Sequence, residues 1–433
     1  MRVLITGAYG LIGSACLARL HADGHEVTGC GRSIASARRG LPYAQWIEAD
    51  FSRLQDASSW RDLLNSVDAV INCVGVLQSG LRDDVERVQL AGTIALFDAC
   101  VRAGVKRVVH ISALGAEMDG PSSFSRTKAG AEAHLRTLPL DWVILRPALV
   151  LGPSVYGGTA MLRAVAAFPE FVPVIAADAQ VQVIGLDDLA DTVARAVLPS
   201  APGKVTWDVG HPTVHTLAKI VTAIRSWLGF RPRRVVPVPD LIGRIFAAIA
   251  DGIGWLGWRS PVRSTSLAQL RARVVGDPQP WMIATGAKPK SLDEILAAQP
   301  ANVQDRWFAK LYLLKPLAVF TVAVATLMNA IVQFASALRH AGALPEDTPL
   351  GAIVARTLPF ILTGGLALLL GILLILRPTA RLALIGLILL TLFQAANDIV
   401  TAWHFGFFPH GVLAYTAPIL LAMVFTLAIL DDR

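Results

Sequence analysis

Three glycines near the start of the chain, Gly7, Gly10 and Gly13 in the run RVLITGAYGLIG, have the spacing of a phosphate cradle. A strand-like stretch from Arg2 to Thr6 delivers them, and Leu11-Ile12 then open a helical pattern. Amides at a helix N-terminus point at an anion, and a missing Cβ lets a pyrophosphate approach the backbone. The loop, with Tyr9, Leu11 and Ile12, is the candidate dinucleotide site; an ordinary glycine-rich turn is the plain alternative. The next strand ends Gly29-Cys30-Gly31-Arg32-Ser33. An acid there would hold the ribose 2′-hydroxyl of NAD. No acid is in reach, and Arg32, with Arg38-Arg39 close behind, suits a 2′-phosphate through charge-assisted hydrogen bonds. The expected cofactor is NADP(H) in preference to NAD(H), with a simple surface arginine as the other reading.

The elements that must position these groups alternate. Leu11 to Ala22 reads as a helix and His25 to Cys30 as a strand; Gln45 to Ala49 is a strand, followed by a helix over Leu54 to Asn65. Asp68 to Cys73 is an apolar strand suited to the centre of a parallel sheet. A helix over Asp83 to Ala103, a strand over Lys106 to Ser112, a helix over Ser123 to Leu138 and a strand over Trp142 to Leu145 complete the pattern. Short connections between alternating strands and helices argue for an α/β, doubly wound parallel Rossmann sheet.

Beyond the loop, Asp50-Phe51, Asn72-Cys73-Val74-Gly75, His110-Ile111-Ser112, Lys128 and Leu145-Arg146-Pro147 follow in order. This ordered set resembles an extended or atypical short-chain dehydrogenase/reductase of the NAD-dependent epimerase/dehydratase superfamily. It is most similar to the subgroup with the NADPH-binding accessory subunit of respiratory complex I, over roughly residues 1–240. The resemblance implies a small substrate lobe after the sheet, cofactor contacts from Asp50, Phe51, Cys73, Val74, Gly75 and Pro147, and catalytic roles for Ser112 and Lys128. Read physically, Asp50 at a strand end can accept from the adenine amino group or simply close a loop. Gly75 marks a place where a side chain would crowd the cofactor, or a turn. Lys128, sixteen residues after Ser112, matches the family lysine that binds the nicotinamide ribose.

The family's tyrosine, four residues before the lysine, is Phe124 here, which has no proton to give. General acid–base help is worth about 10²–10⁴-fold in rate. Three readings follow: binding without turnover, a proton from Ser122, Ser123 or Tyr156, or a quinone-like or imine substrate that needs no protonated carbonyl. Further on, Asp187-Asp188 are placed to complement a helix N-terminus, and Pro237 and Pro239 mark a boundary. Leu241 to Trp258 is apolar nearly all round; it suits an interfacial helix on a membrane or a domain helix covering the substrate cleft.

The 433 residues are 54% hydrophobic and 16% charged, with a mean hydropathy of +0.53, and the excess lies after about residue 311. Apolar runs at Pro316–Leu338, Thr357–Leu376, Leu382–Trp403 and Gly411–Leu430 are each about long enough to cross a ~30 Å bilayer core. The domain expectation is therefore 1–240 for the NAD(P)-binding part, 241–310 for a helical extension and linker, and 311–433 for a four-helix transmembrane bundle. By helix count and placement that bundle resembles DoxX-like membrane domains. Lys288, Lys290, Arg306, Lys310 and Lys315 precede the first span, and Arg377 and Arg381 lie between the second and third. The positive-inside rule puts both termini in the cytoplasm of a bacterial inner membrane, in accord with no signal-like segment ahead of Arg2. The net charge of +7 fits anionic lipid rather than nucleic acid. The expected partners are the bilayer, a small lipophilic substrate and a membrane protein complex. Within the spans, Asn397, Asp398 and His404 could form a quinone or proton site or serve interhelical hydrogen bonds. Cys16, Cys30, Cys73 and Cys100 lack metal-ligand spacing and read as buried free thiols, so no metal is expected.

Overall fold

The computed structural model describes residues 1–80, 84–154, 157–258, 260–272, 274–345, 348–404 and 410–430. The chain divides into two compact units, one of residues 1–254 and 259–309, the other of residues 255–258 and 310–433.

Seven parallel strands build the first unit: β1 (Arg2–Thr6), β2 (Glu26–Gly31), β3 (Gln45–Glu48), β4 (Ala69–Asn72), β5 (Arg107–Ile111), β6 (Asp141–Pro147) and β7 (Val205–Val209). Their order is β7-β6-β5-β4-β1-β2-β3, so the winding reverses between β4 and β1, where open α/β sheets hold ligands. Strands β4 and β5 are buried along their whole length because helices cover both faces. On one face α1 (Leu11–Ala22) sets Cys16, Leu17 and Leu20 into the core shared with Leu189 and Val193. On the other, α2 (Gly92–Ala103) and α3 (Ser123–Thr137) bury Leu96, Phe97, Ala131 and Leu135 around Trp60. The Rossmann sheet read from the sequence is the one observed.

Two helices differ from expectation. Leu54 to Asn65 forms two single 3₁₀ turns, Ala57–Trp60 and Asp62–Leu64, instead of a regular helix. The buried Trp60 donates its indole N–H to Leu54 O at 3.2 Å, and Asp56 caps the first turn, so the segment folds tightly on one tryptophan. The Asp83–Ala103 helix opens with a π turn, Glu86–Ala91, before α2; Asp83 itself lies outside the described residues. Gly92 accounts for the join, since a Cβ there would come within 2.5 Å of Phe51 O. Three of the cysteines are buried thiols, and burial pushes Cys30 up to about 12; Cys73, just past β4, is only half-buried.

A smaller lobe packs short strand pairs, Leu149–Leu151 with Val183–Gly185 and Val172–Ile175 with Val235–Val238, against α5 (Leu217–Trp227). In α4 (Leu186–Ala196), Asp187 and Asp188 sit in the first turn as expected, and Lys290 Nζ bonds both, at 2.6 and 2.9 Å. The 241–310 stretch is not a free-standing linker. Its apolar residues Trp281, Leu292, Ile295 and Ala309 are buried in the first unit's cores.

The second unit contains α8 (Leu314–Gly342), α9 (Leu350–Ile375), α10 (Ala380–His404) and α11 (His410–Ala428). The first three are long and apolar enough to cross a membrane; α11, with 19 residues, spans about 28 Å at 1.5 Å per residue. Contacts run α8–α9, α9–α10, α10–α11 and α11–α8, which closes a ring of four. Small residues line the tightest approach: Ala330 and Ala367 are buried, and a Cβ on Gly364 would lie 3.0 Å from Gln333 Cβ. Across the helices, Asn329 Nδ2 donates to Gln394 Oε1 at 3.3 Å. Among the described residues, Asn397, Asp398 and His404 are all exposed on α10. Gly364→Leu should force α8 and α9 apart and destabilise the unit by about 1–3 kcal/mol, read as a lower apparent Tm of the purified chain in detergent. Gly365→Leu, at a position with open space, should leave Tm unchanged.

Candidate active site

The site begins where β1 ends. Gly7 has φ +67°, and a Cβ on it would stand 2.9 Å from Cys73 O and 3.0 Å from Val74 N. Its carbonyl accepts from Gly10 N–H at 2.9 Å, and a Cβ on Gly13 would overlap that same carbonyl oxygen. The loop is thus folded tightly under the first turn of α1. Gly10 is the N-cap and supplies no capping side chain, so the helix's positive end, with Leu11 and Ile12, is left for an anion. This geometry fits the pyrophosphate of a dinucleotide.

At the end of β2, the Tyr9 ring lies so close to Gly31 that a Cβ there would overlap it. Half-buried Arg32 follows directly. Arg38 is occupied elsewhere, donating to Trp46 O at 3.3 Å. Asp50 Oδ1 accepts from Ser52 N–H at 3.0 Å and from Ser52 Oγ at 2.8 Å, so the carboxylate closes its own turn. The Phe51 ring is buried edge-on against Trp60, with ring centroids 4.9 Å apart; only its backbone is left to border a cleft.

Past β4, Asn72 organises the loop. Its Oδ1 accepts from Thr6 Oγ1 at 2.8 Å and from Val74 N–H at 3.1 Å, while its amide nitrogen lies 3.2 Å from His110 Nδ1. Burial and the nearby Lys128 hold His110 neutral, well below its usual range. Gly75 is exposed, and a Cβ on it would meet only Gln89 Oε1 and Lys128 Nζ at 3.8 Å, so the protein itself leaves room beside the lysine. Pro147 is buried at the end of β6 beside β7.

Lys128 is buried and donates to Ile111 O at 2.7 Å and Val74 O at 3.2 Å. Burial pushes the ammonium down to about 8, opposed by Cys73 and Glu132. Ser112 Oγ donates to Glu132 Oε1 at 2.5 Å. Arg146 grips the same carboxylate with two donors, at 2.9 and 2.6 Å, and Arg136 adds a third at 2.7 Å. Ser112 therefore does not keep a free hydroxyl. Ser122 caps α3 and donates to Gln269 Oε1 at 3.0 Å; half-buried Ser123 accepts from Thr127 through its carbonyl. Phe124 is half-buried, and Tyr156 lies outside the described residues.

Three polar side chains were not singled out from the sequence. Glu132 is fully buried one helical turn after Lys128, and the i, i+4 spacing to Arg136 was its only local sign. Gln89, carried by the π turn, accepts from Val76 N–H at 3.1 Å and donates to Phe124 O at 3.1 Å and Thr127 Oγ1 at 2.8 Å. It braces the post-β4 loop to the helix that holds Lys128. Gln269 belongs to α7 (Ser264–Arg271), which lies over this end of the sheet. Gln78 Nε2 donates to Ser266 Oγ at 2.6 Å, Arg263 to Ser79 O at 2.7 Å, and Asp277 N–H to Asp208 Oδ2 at 3.0 Å. Helix α7 is thereby fastened at the end of the sheet to the loop after β4 and to the start of α3.

Residues 7–155 match the family model described as NAD(P)H-binding. Sterol demethylase protein B of Methylococcus capsulatus is 30% identical over 201 residues, 40% of this chain and 60% of that protein. NADH dehydrogenase [ubiquinone] 1 alpha subcomplex subunit 9, mitochondrial, of Arabidopsis thaliana is 28% identical over 264 residues, 57% of this chain and 62% of its own. Uncharacterized Mycobacterium tuberculosis proteins are matched at 27% identity over only 27% of their length. The structure of the Bordetella bronchiseptica enzyme WbmG in complex with NAD superposes with a TM-score of 0.51 at 21% identity, covering 68% of this chain and 91% of that one. The first unit thus has a Rossmann-type parallel sheet, and residues 7–155 within it match an NAD(P)H-binding family model. The family match ends before the apolar helices, and the DoxX-like resemblance has no counterpart in it.

Glu132→Ala would leave Arg146 and Ser112 without their shared acceptor. Its expected cost is about 2–4 kcal/mol, reduced from a fully buried pair by the partial exposure of both arginines. Thermal melts of the purified chain should show it, with Glu132→Gln intermediate.

Proposed function

We propose that the chain is a membrane-tethered, NADP(H)-binding oxidoreductase acting on a lipophilic or quinone-like substrate. The observation that carries this reading is the glycine cradle under the uncapped start of α1, with Arg32 at the end of the neighbouring strand. Tyr9, Cys73, Val74, Gly75 and Pro147 are assigned to the walls of the same cleft, Asp50 and Phe51 to its rim through the turn they form. A reduced nicotinamide supplies a hydride when bound. A two-electron reduction also needs a proton, and Phe124 has none. Lys128, held near neutrality by burial, is the group assigned to give it, from Nζ beside Gly75. Ser112 acts through Glu132 as a positioning residue. A lipophilic substrate accords with the apolar helices of the second unit and with the sterol in the name of one relative. The membrane assigned is a bacterial inner membrane, with the Rossmann unit on the cytoplasmic side.

Two measurements test this. By titration of the purified chain, NADPH should bind at least about tenfold more tightly than NADH, and Arg32→Ala should erase the difference, a loss of about 1.4 kcal/mol or more. Equal affinities in the unaltered chain would overturn the NADP(H) assignment. With a quinone as acceptor, kcat should fall as pH rises through about 8, because the acid form of Lys128 is the donor. Lys128→Met should abolish turnover and retain cofactor binding.

A second reading is a non-catalytic NADPH-binding accessory protein of a membrane complex. Phe124, the occupied Ser112 hydroxyl and the α7 cover favour it, as does the relative that is a subunit of NADH dehydrogenase. Tight NADPH binding with no turnover on any quinone, together with co-purification of a membrane complex, would support it.

A further inference from the structure

Helix α6 (Asp240–Trp255) packs into the first unit through its small residues, and its Asp240 and Asp251 pair with Arg271 and Arg263 at 2.8 Å each. Gly243, Ala247, Ala250 and Gly254 are buried, and a Cβ on Gly243 would lie 3.1 Å from Ile175. Leu241, Ile242, Ile245, Phe246, Ile249 and Ile253 are 41–70% exposed. At 100° per residue these six fill one sector of about 140°, and Arg244 and Asp251 fall outside it. An apolar stripe of that extent on a helix marks a binding face.

Chain continuity identifies what covers it. The last residue of α6, Trp255, and the next three, 256–258, belong to the second unit. There Leu256 O accepts from Arg377 N–H at 3.0 Å, and Trp258 donates its indole N–H to Ile375 O at 2.7 Å. The Arg377 guanidinium lies over the Trp258 ring at 5.5 Å. Ile375 is the last residue of α9, so these contacts sit where an apolar span ends, and tryptophan and arginine are the residue types of a bilayer interface. Four residues reach at most about 14 Å, so the C-terminal end of α6 is held near that level by covalent connection.

We propose that the exposed face of α6 lies in the boundary between headgroups and acyl chains, with lipid as its occupant. This rests on the reading of the second unit as membrane-spanning. The full-length chain, reconstituted in phosphatidylcholine/phosphatidylglycerol nanodiscs, would carry an environment-sensitive fluorescent amino acid at position 246 or 249. Position 366 on α9 and position 55 in the first unit serve as references. Acyl-chain-brominated lipid should quench 246 and 249 to within about twofold of 366 and leave 55 unchanged. Quenching at 366 without quenching at 246 and 249 overturns the proposal. Blue-shifted, unquenched emission at those two positions also overturns it, because a protein surface or second copy then covers the face. No quenching at 366 refutes the spanning reading, and the proposal falls with it.

Discussion

Backbone meets backbone at Gly7, and much of the first unit follows from that contact. The loop after β1 lies against Cys73 and Val74 at the end of β4 and folds under Gly13 at the start of α1, with no side chain between them. The sheet's winding reverses at this point, so the approach fixes two strands, one helix terminus and the mouth of a crevice together. Asn72 extends the arrangement by tying Thr6, Val74 and His110 into one buried set, so that the post-β4 loop is held from below as well as from the side.

A second knot, around Glu132, controls the other half of the crevice. One buried carboxylate receives Ser112, Arg136 and Arg146, from β5's end, α3 and β6. Two arginines and a hydroxyl satisfy it, which is what makes a charge tolerable there. The same arrangement removes the serine hydroxyl from competition for a substrate and leaves the lysine, flanked by two carbonyls, as the ionisable group beside Gly75.

What was legible in the sequence is what is local. The glycine spacing, the apolar run of β4 and three of the four expected span lengths depend on residues within one element, and they appear where the pattern puts them. Glu132, Gln89 and Gln269 were not legible, because each acts through partners on other elements; Gln269 and Ser122 are separated by 147 positions. The π turn and the paired 3₁₀ turns were also missed. They arise from a single close packing, at Gly92 against Phe51 and at Trp60, which overrides helical propensity. The 241–310 stretch misled through composition, since its few large apolar residues are spaced too widely to announce a core, yet they complete one.

The hydrogen bonds that fasten α7 over the crevice to Gln78 and Ser122 join uncharged side chains, glutamine to serine in both cases. Screening by dissolved ions acts on charges and leaves such contacts unaltered. This part of the cover is thus indifferent to ionic strength. A group that took the place of this cover would have to accept from Gln78 Nε2 and from Ser122 Oγ, the two donors that α7 now satisfies.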